Sequence, residues 1–198
     1  MCVALVAIDS ISVLAHQHAA GSPAAGPTVS ESNCTIASEP ADHALGSSRG
    51  GWTTKIRALV DGTCPPVAVL LTAGQVGDNP QLAPLLEIYP DRHGCTMRLL
   101  AGKAYSHPSP RKLLRTKHIS HTIPERSDQI ARRKEKGSRG GRPPAFDVAL
   151  YRHRNTVERG FNRLEHWRGV ATRYDEYAIT YLGGILLAST VTPHRLRN

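Results

Sequence analysis

The strongest constraint on the fold is a helical pattern of apolar side chains in residues 151–174, YRHRNTVERGFNRLEHWRGVATRY. At about 100° per residue, four of them share one face with the i, i+4, i+7, i+10 spacing of a core-facing helix: Val157, Phe161, Leu164 and Trp167. Such a stripe must be covered by another layer of structure. We therefore expect a helix over residues 147–168 that packs on a core and stops before Gly169.

The other faces of this helix are polar. A narrow stripe beside the buried face holds Tyr151, Arg154, Glu158, Asn162 and Glu165, and the opposite face holds Arg152, Arg159, Arg163 and His166. Single carboxylates among so many arginines are typical of a cleft in which the acids take part in a chemical reaction. An ordinary amphipathic helix, supported by an Arg154–Glu158 pair at i, i+4, explains the pattern equally well.

The rest of the chain predicts a sheet with helical layers. The predicted strands, the first of which is a buried apolar run ending at Asp9, are residues 2–8, 53–60, 67–74, 96–100 and 122–123. Further helices are predicted over residues 78–89, with Asp78 as N-cap, and over residues 110–118 and 175–190. This order predicts an α/β fold with a mixed sheet flanked by helices.

Two segments lack a sustained apolar period. Residues 18–51 are rich in Ala, Gly and Ser and predict a long loop, and residues 134–144, KEKGSRGGRPP, predict a basic Gly/Arg/Pro loop. With 198 residues, the chain is long enough for one domain with a core.

The charge is unevenly distributed. The chain has 25 Lys and Arg against 16 Asp and Glu, and residues 103–142 hold twelve basic residues and three acids. This excess favours a polyanion, and nucleic acid over a membrane surface, because no exposed apolar helix face accompanies it and no apolar run is long enough to span a bilayer. A merely solvated charge run is the alternative.

The four cysteines stand about thirty residues apart, without the close pairs that zinc sites use. We expect reduced thiols in a cytoplasmic protein. The histidine pairs His16/His18 and His118/His121 lack nearby acids or thiols in the sequence and are interpreted as surface or hydrogen-bonded residues.

Several blocks, in order, identify a family: DSISVLAHQHAAG, LGSSRGGWTTKIRALVDG, LLTAGQVGDNPQL, GKAYS, IPERSDQ, GSRGGRPPAFD and residues 151–174. The chain resembles the DDE-type transposases of bacterial insertion sequences, specifically the group of insertion sequence five. The resemblance implies a ribonuclease-H-like fold, with residues 1–191 as the DDE catalytic domain and residues 192–198 as a tail. It also leads us to expect that the family's N-terminal DNA-recognition domain is missing.

The resemblance implies a catalytic role for two acids. Asp9 occupies the first carboxylate position and Glu158 the third, and Tyr151, Arg154 and Glu158 match the family's Tyr, Arg, Glu signature. In the family, carboxylates hold two Mg²⁺ ions for DNA strand cleavage and transfer. The partner implied is double-stranded DNA, both element ends and target, at the nucleoid, with a homodimer as a compatible assembly. The residues expected to contact DNA are Arg49, Lys55, Lys103, Arg139, Arg142, Tyr151, Arg154, Arg163 and Arg168.

Two positions depart from the family pattern. Gly102 stands where the family has its second catalytic Asp, and Glu165 stands where it has a Lys that touches phosphate. Since glycine has no side-chain oxygen and the N-terminal domain is expected to be missing, we expect a truncated and catalytically impaired copy. Asp61, in a predicted turn, and Asp78, as a cap, are not expected to replace the missing acid. A non-catalytic DNA-binding module and a product that scarcely folds are the alternatives.

Overall fold

A mixed β-sheet forms the centre of the protein, for which we used a computed structural model that describes residues 2–21, 39–62, 65–89 and 95–191. Within these ranges the strands are β1 (Cys2–Leu14), β2 (Gly46–Ser48), β3 (Gly51–Val60), β4 (Pro66–Ala73), β5 (Cys95–Ala101) and β6 (Ser120–Thr122). In space the order is β4, β3, β1, β5, β6, with β2 beside the first residues of β3. The pairs β1–β3 and β3–β4 are antiparallel, whereas β1–β5 and β5–β6 are parallel.

Helices cover both faces of the sheet. They are α1 (Gln17–Ala20), α2 (Leu82–Ile88), α3 (Pro108–Thr116), α4 (Ser127–Glu135), α5 (Val148–Tyr151), α6 (Asn155–Glu165), α7 (Arg168–Ala171) and α8 (Ala178–Val191). Short 3-10 turns lie at Asn79–Gln81, Lys103–Tyr105, Gly137–Gly140 and Arg152–Arg154. Three antiparallel strands followed by two strands parallel to the first, with helices on both faces, confirm the α/β, ribonuclease-H-like prediction.

The sheet separates two apolar layers, because successive side chains of a strand point to opposite faces. On one face, Ala7 and Val13 of β1 pack with α6, whose Val157, Phe161 and Leu164 are buried as predicted. On the other face, Val6 and Ile8 pack with α2 and α3. Asp9 therefore belongs to the face that α6 covers.

Three predictions about elements are wrong. The first strand does not end at Asp9, because pairing with β3 continues to Leu14, which faces Thr53. The helix predicted over residues 147–168 is interrupted by the 3-10 turn Arg152–Arg154 and ends at Glu165. Helix α4 was not predicted, since none of its residues is buried and it carries no apolar stripe. Its last residues fall within the predicted 134–144 loop.

The remaining predictions about segments have mixed outcomes. The 53–60 and 67–74 hairpin is confirmed by the register of β3 and β4. Most of the predicted Ala/Gly/Ser-rich loop, residues 22–38, lies outside the described residues.

Cys95 is disulfide-bonded, so the expectation of four reduced thiols is wrong for that residue. The spacing of cysteines along the chain does not show which of them the sheet brings together. In the described part of the chain, no helix is both long enough and apolar enough to cross a bilayer.

Candidate carboxylate site

Arg154 links the two acids that the sequence singled out. Its Nη1 donates to Oδ2 of Asp9 at 2.5 Å and its Nη2 donates to Oε1 of Glu158 at 2.6 Å. The guanidinium is thus held by a carboxylate from β1 and a carboxylate from α6. The predicted Arg154–Glu158 pair is present, but it is half of a bridge rather than an isolated helix-surface pair.

The site is half-open to solvent. The side chains of Arg154, Asp9 and Glu158 are 19%, 30% and 50% exposed. Burial disfavours the charge of Arg154, but the hydrogen bond and charge of Asp9, with smaller contributions from Tyr151 and Glu158, outweigh it, so the pKa of Arg154 is raised. The guanidinium is therefore a permanent positive charge between the two carboxylates.

Local structure brings the side chains of Asp9, Arg154 and Glu158 together. The backbone N–H of Ser10 donates to Oδ1 of Asp9 at 3.0 Å, which restrains the carboxylate at its strand. Val157 and Phe161 anchor α6 on the sheet, so Glu158, one position after Val157, lies at the edge of the buried face. Arg154 is the last residue of the 3-10 turn and reaches back toward β1.

Gly102 lies at the same point. It follows β5, whose last residue, Ala101, pairs with Ile8, so Gly102 and Asp9 are neighbours at the ends of this pairing. A Cβ added to Gly102 would lie 3.9 Å from Nη1 of Arg154, an ordinary van der Waals distance. Its φ of −72° is available to any residue. The three carboxylate positions of the resemblance therefore converge on Arg154, and one of them carries no side chain.

The residues present do not fit a pair of metal ions. Carboxylate oxygens are ligands that Mg²⁺ prefers, but a bridged metal pair needs more of them than Asp9 and Glu158 supply. Across the described residues, no group of three or more His, Cys, Asp or Glu side chains is placed to hold a metal ion. Both carboxylates also already have a cation, Arg154, as their partner.

Asp78 is not a helix cap, and its place argues against a replacement role. Its side chain makes no capping hydrogen bond; instead its Oδ1 accepts from Nε of Arg57 and from Oγ of Ser10, both at 3.1 Å. Ser10 and Asp9 are successive residues of a strand, so their side chains point to opposite faces. Asp78 therefore lies on the face away from Glu158. Asp61 is buried directly after β3.

Sequence reasoning missed Arg57, which is fully buried in β3. It also donates to the carbonyl oxygens of Val76 at 2.7 Å and Gly77 at 3.1 Å, and to Oγ1 of Thr72. Burial lowers the pKa of Arg57, against the opposing effect of Asp78. An arginine placed directly between Ile56 and Ala58 in an alternating strand was the available signal. The cluster of Arg57 and Asp78 holds the loop after β4 against β1, on the face of the sheet opposite to the Asp9 side chain.

The residues predicted to contact DNA are spread over the surface. Tyr151 lies beside Arg154, whose guanidinium carbon is 5.8 Å from the ring centroid. Lys55 is half-buried, and its Nζ donates to the carbonyl of Val76 at 3.0 Å. Arg163 is half-buried, and the exposed members are Arg49, Lys103, Arg139, Arg142 and Arg168. Glu165, the last residue of α6, is also exposed.

Comparisons with known proteins show a family. Residues 4–190 match the family model described as Transposase DDE domain. Over 136 residues the chain is 28% identical to a protein of Brucella ovis described as a transposase for insertion sequence element IS6501, a match that covers 69% of this chain and 94% of that protein.

A solved structure is similar at lower identity. In the cryo-EM structure of the piggyBac transposase synaptic complex with hairpin DNA, the match has a TM-score of 0.48 and 13% identity and covers 98% of this chain. It covers 48% of the piggyBac chain, so this chain spans about half the length of that protein.

Proposed function

This chain belongs to the transposase DDE domain family, and we propose that residues 1–191 are the catalytic domain of an insertion-sequence transposase of the group of insertion sequence five. Its reaction class is cleavage and transfer of DNA strands. The observation that carries the proposal is the convergence of Asp9, Gly102 and Glu158 on Arg154. An ordinary amphipathic helix has no need of a second carboxylate, from a central strand, on the same guanidinium.

In this proposal, Asp9 and Glu158 are the surviving carboxylates of the family's two-metal Mg²⁺ site, and Gly102 marks the lost one. The copy is therefore impaired in strand cleavage. Arg154 holds the two carboxylates together and has the planar, multidentate donor set that also suits a phosphate oxygen. Glu165 places a negative charge where the family pattern has a Lys, which weakens attraction for the DNA backbone.

Double-stranded DNA is the proposed partner, at element ends and target, in the cytoplasm at the nucleoid. The support is the net charge of +9 together with exposed basic residues, among them Lys103 directly after Gly102. A homodimer is the proposed assembly.

Nicking of supercoiled plasmid in the presence of Mn²⁺ tests the proposal. We expect the wild-type chain to nick no faster than Glu158→Ala, and Gly102→Asp to nick at least about tenfold faster than wild type. The double variant Gly102→Asp, Glu158→Ala should return to the wild-type level, which excludes a contaminating nuclease. Wild-type nicking that is as fast as that of Gly102→Asp and is lost in Glu158→Ala would contradict the impairment.

The second candidate is a non-catalytic DNA-binding module derived from a transposase. The observation that favours it is that Arg154 already neutralises both acids and that Gly102 supplies no ligand. In that case Asp9→Asn and Glu158→Gln leave DNA affinity unchanged or raise it, and Gly102→Asp gains no activity. Plasmid binding and nicking by the same protein samples separate the two functions.

A further inference from the structure

A cavity rich in arginine lies beside the carboxylate site, at the β5–β6 edge of the sheet. Its volume is about 700 Å³, and its wall includes Arg98, Arg111, Arg115 and Arg142, which define what we call the arginine cavity. These side chains come from β5, from α3 and from the loop before α5. Of them, only Arg142 belongs to the surface proposed above to contact DNA.

Much of this charge is uncompensated. Arg111 is half-buried and donates to the carbonyl of Ile123 at 2.8 Å, so it has a structural role. Among the described residues, Arg98, Arg115 and Arg142 have no carboxylate within 4 Å, and all three are exposed. Asp147 is the acid that the described residues contribute to the wall, and its Oδ1 accepts from the backbone N–H of Leu150 at 3.0 Å.

The cavity continues onto a second basic depression of about 370 Å³. The two share Arg111, Arg115 and Arg142, and the second adds Arg132, Arg133 and Lys136. Arg133 is paired with both oxygens of Glu125, at 2.9 and 2.7 Å. The two depressions together form a cationic track rather than an isolated pocket.

The cavity straddles the β6 edge of the sheet: Arg98 lies on the face of the carboxylate site, whereas Arg111 and Arg115 come from α3, which packs on the other face. Arg98 alternates with Leu100, which packs in the α6 layer, and Gly102 is two residues further on. Thr122 of the wall pairs with Leu100. Leu150 of the wall lies four residues before Arg154, so the cavity and the carboxylate site adjoin along the segment that leads into α6.

We infer that the arginine cavity binds the phosphate backbone of duplex DNA beside the Asp9–Arg154–Glu158 site. The identification of the ligand as DNA rests on the proposed function. Exposed guanidinium groups without acids are suited to phosphate oxygens, and a track of them follows a repeating anion better than a single small ligand.

The test is the salt dependence of binding to a fluorescein-labelled 20-base-pair duplex, followed by anisotropy. We compare Arg98→Gln, Arg115→Gln with the charge-matched control Arg152→Gln, Arg159→Gln, two exposed arginines of the helix segment that line neither cavity. Each lost phosphate contact should reduce the slope of log K against log salt by about 0.9. We therefore expect the cavity variant to lose about 1.8 in slope and the control to keep the wild-type slope.

The outcomes are distinct. Equal slopes for the two double variants overturn the cavity inference alone, whereas a wild-type chain that does not bind the duplex overturns the proposed function as well. The variant Arg98→Lys, Arg115→Lys keeps the charge and should keep most of the slope. Because the replaced side chains are exposed, far-UV circular dichroism should be the same for all variants, so a lost slope reports lost contacts.

Discussion

Nη1 of Arg154 lies 2.5 Å from Oδ2 of Asp9, although 145 positions separate the two residues in the chain. The contact joins the central strand β1 to the start of α6 and brings Glu158, on the next turn, to the same guanidinium. The acids that the resemblance assigned to catalysis are therefore held in one cluster by an arginine from the same signature.

The Arg154–Asp9 contact should be the stronger half of the bridge. Glu158 is 50% exposed and Asp9 30%, and exposed pairs are weakened by water and salt. In urea unfolding, double-mutant cycles with Arg154→Gln should give a coupling of about 1 kcal/mol with Asp9→Asn and about half of that with Glu158→Gln. Arg152→Gln, an exposed neighbour, is the matched control and should show no coupling with either acid. Equal coupling energies would show that the difference in burial does not decide which of the two ion pairs is stronger.

Gly102→Asp should create metal affinity without disturbing the backbone. The nearest atoms to its added Cβ belong to Arg154, at 3.9 and 4.0 Å, so the side chain has room. Without metal, a third carboxylate on one guanidinium adds repulsion, and stability should fall slightly or stay unchanged. With Mn²⁺, the thermal midpoint of Gly102→Asp should rise, since ligand binding to the folded state stabilises it. Gly102→Asn, of the same shape without the charge, is the control, and a rise as large in that variant would contradict the assigned site.

Asp78→Asn should destabilise the fold through Arg57. Arg57 is fully buried, and Asp78 is the acid that compensates its charge, at 3.1 Å. Removing one partner of a buried pair leaves an uncompensated charge, and because Asp78 itself is 18% exposed we expect a loss of about 2–3 kcal/mol. Urea unfolding at neutral pH measures it. Glu87→Gln, which removes an exposed acid of α2, should change stability by less than about 0.5 kcal/mol.

Glu39 should make stability depend on acidic pH. It accepts from the backbone N–H groups of Ala178 and Ile179, at 2.7 and 2.9 Å, and pairs with His43 at 2.7 Å. Burial acts to raise the pKa of Glu39, but these hydrogen bonds outweigh it and lower the pKa below its usual value.

A lowered folded-state pKa fixes the sign of this effect. The contribution of Glu39 is fully present above the ordinary glutamate pKa of about 4.3 and is lost as pH falls through the lower folded-state pKa. Glu39→Gln should cost about 1 kcal/mol at pH 7 by weakening the cap of α8, and its stability should fall less steeply on acidification. Glu135→Gln, at an exposed acid of α4, should follow the wild-type curve.

Much of the fold was predictable because its signals are local. The alternating residues 53–60 predicted a strand, and the stripe of α6 predicted that Val157 and Phe161 lie in the core; both predictions are confirmed. Helix α4 was not predictable, because none of its residues is buried and its sequence has no helical repeat of apolar residues. The cap assigned to Asp78 failed because local spacing competes with a buried arginine 21 positions away, and the tertiary pair is the one that forms.

The sequence by itself determined the family, the layers of the sheet and the absence of an acid at Gly102, since these follow from residue identity and from periods of 2 and 3.6. Tertiary structure alone decided that Arg154 bridges Asp9 and Glu158, that Asp78 faces away from them, and that arginines of β5, α3 and a loop share one cavity. Those relationships join segments distant in the chain. Strand register and helix docking set their distances, and no local pattern encodes these.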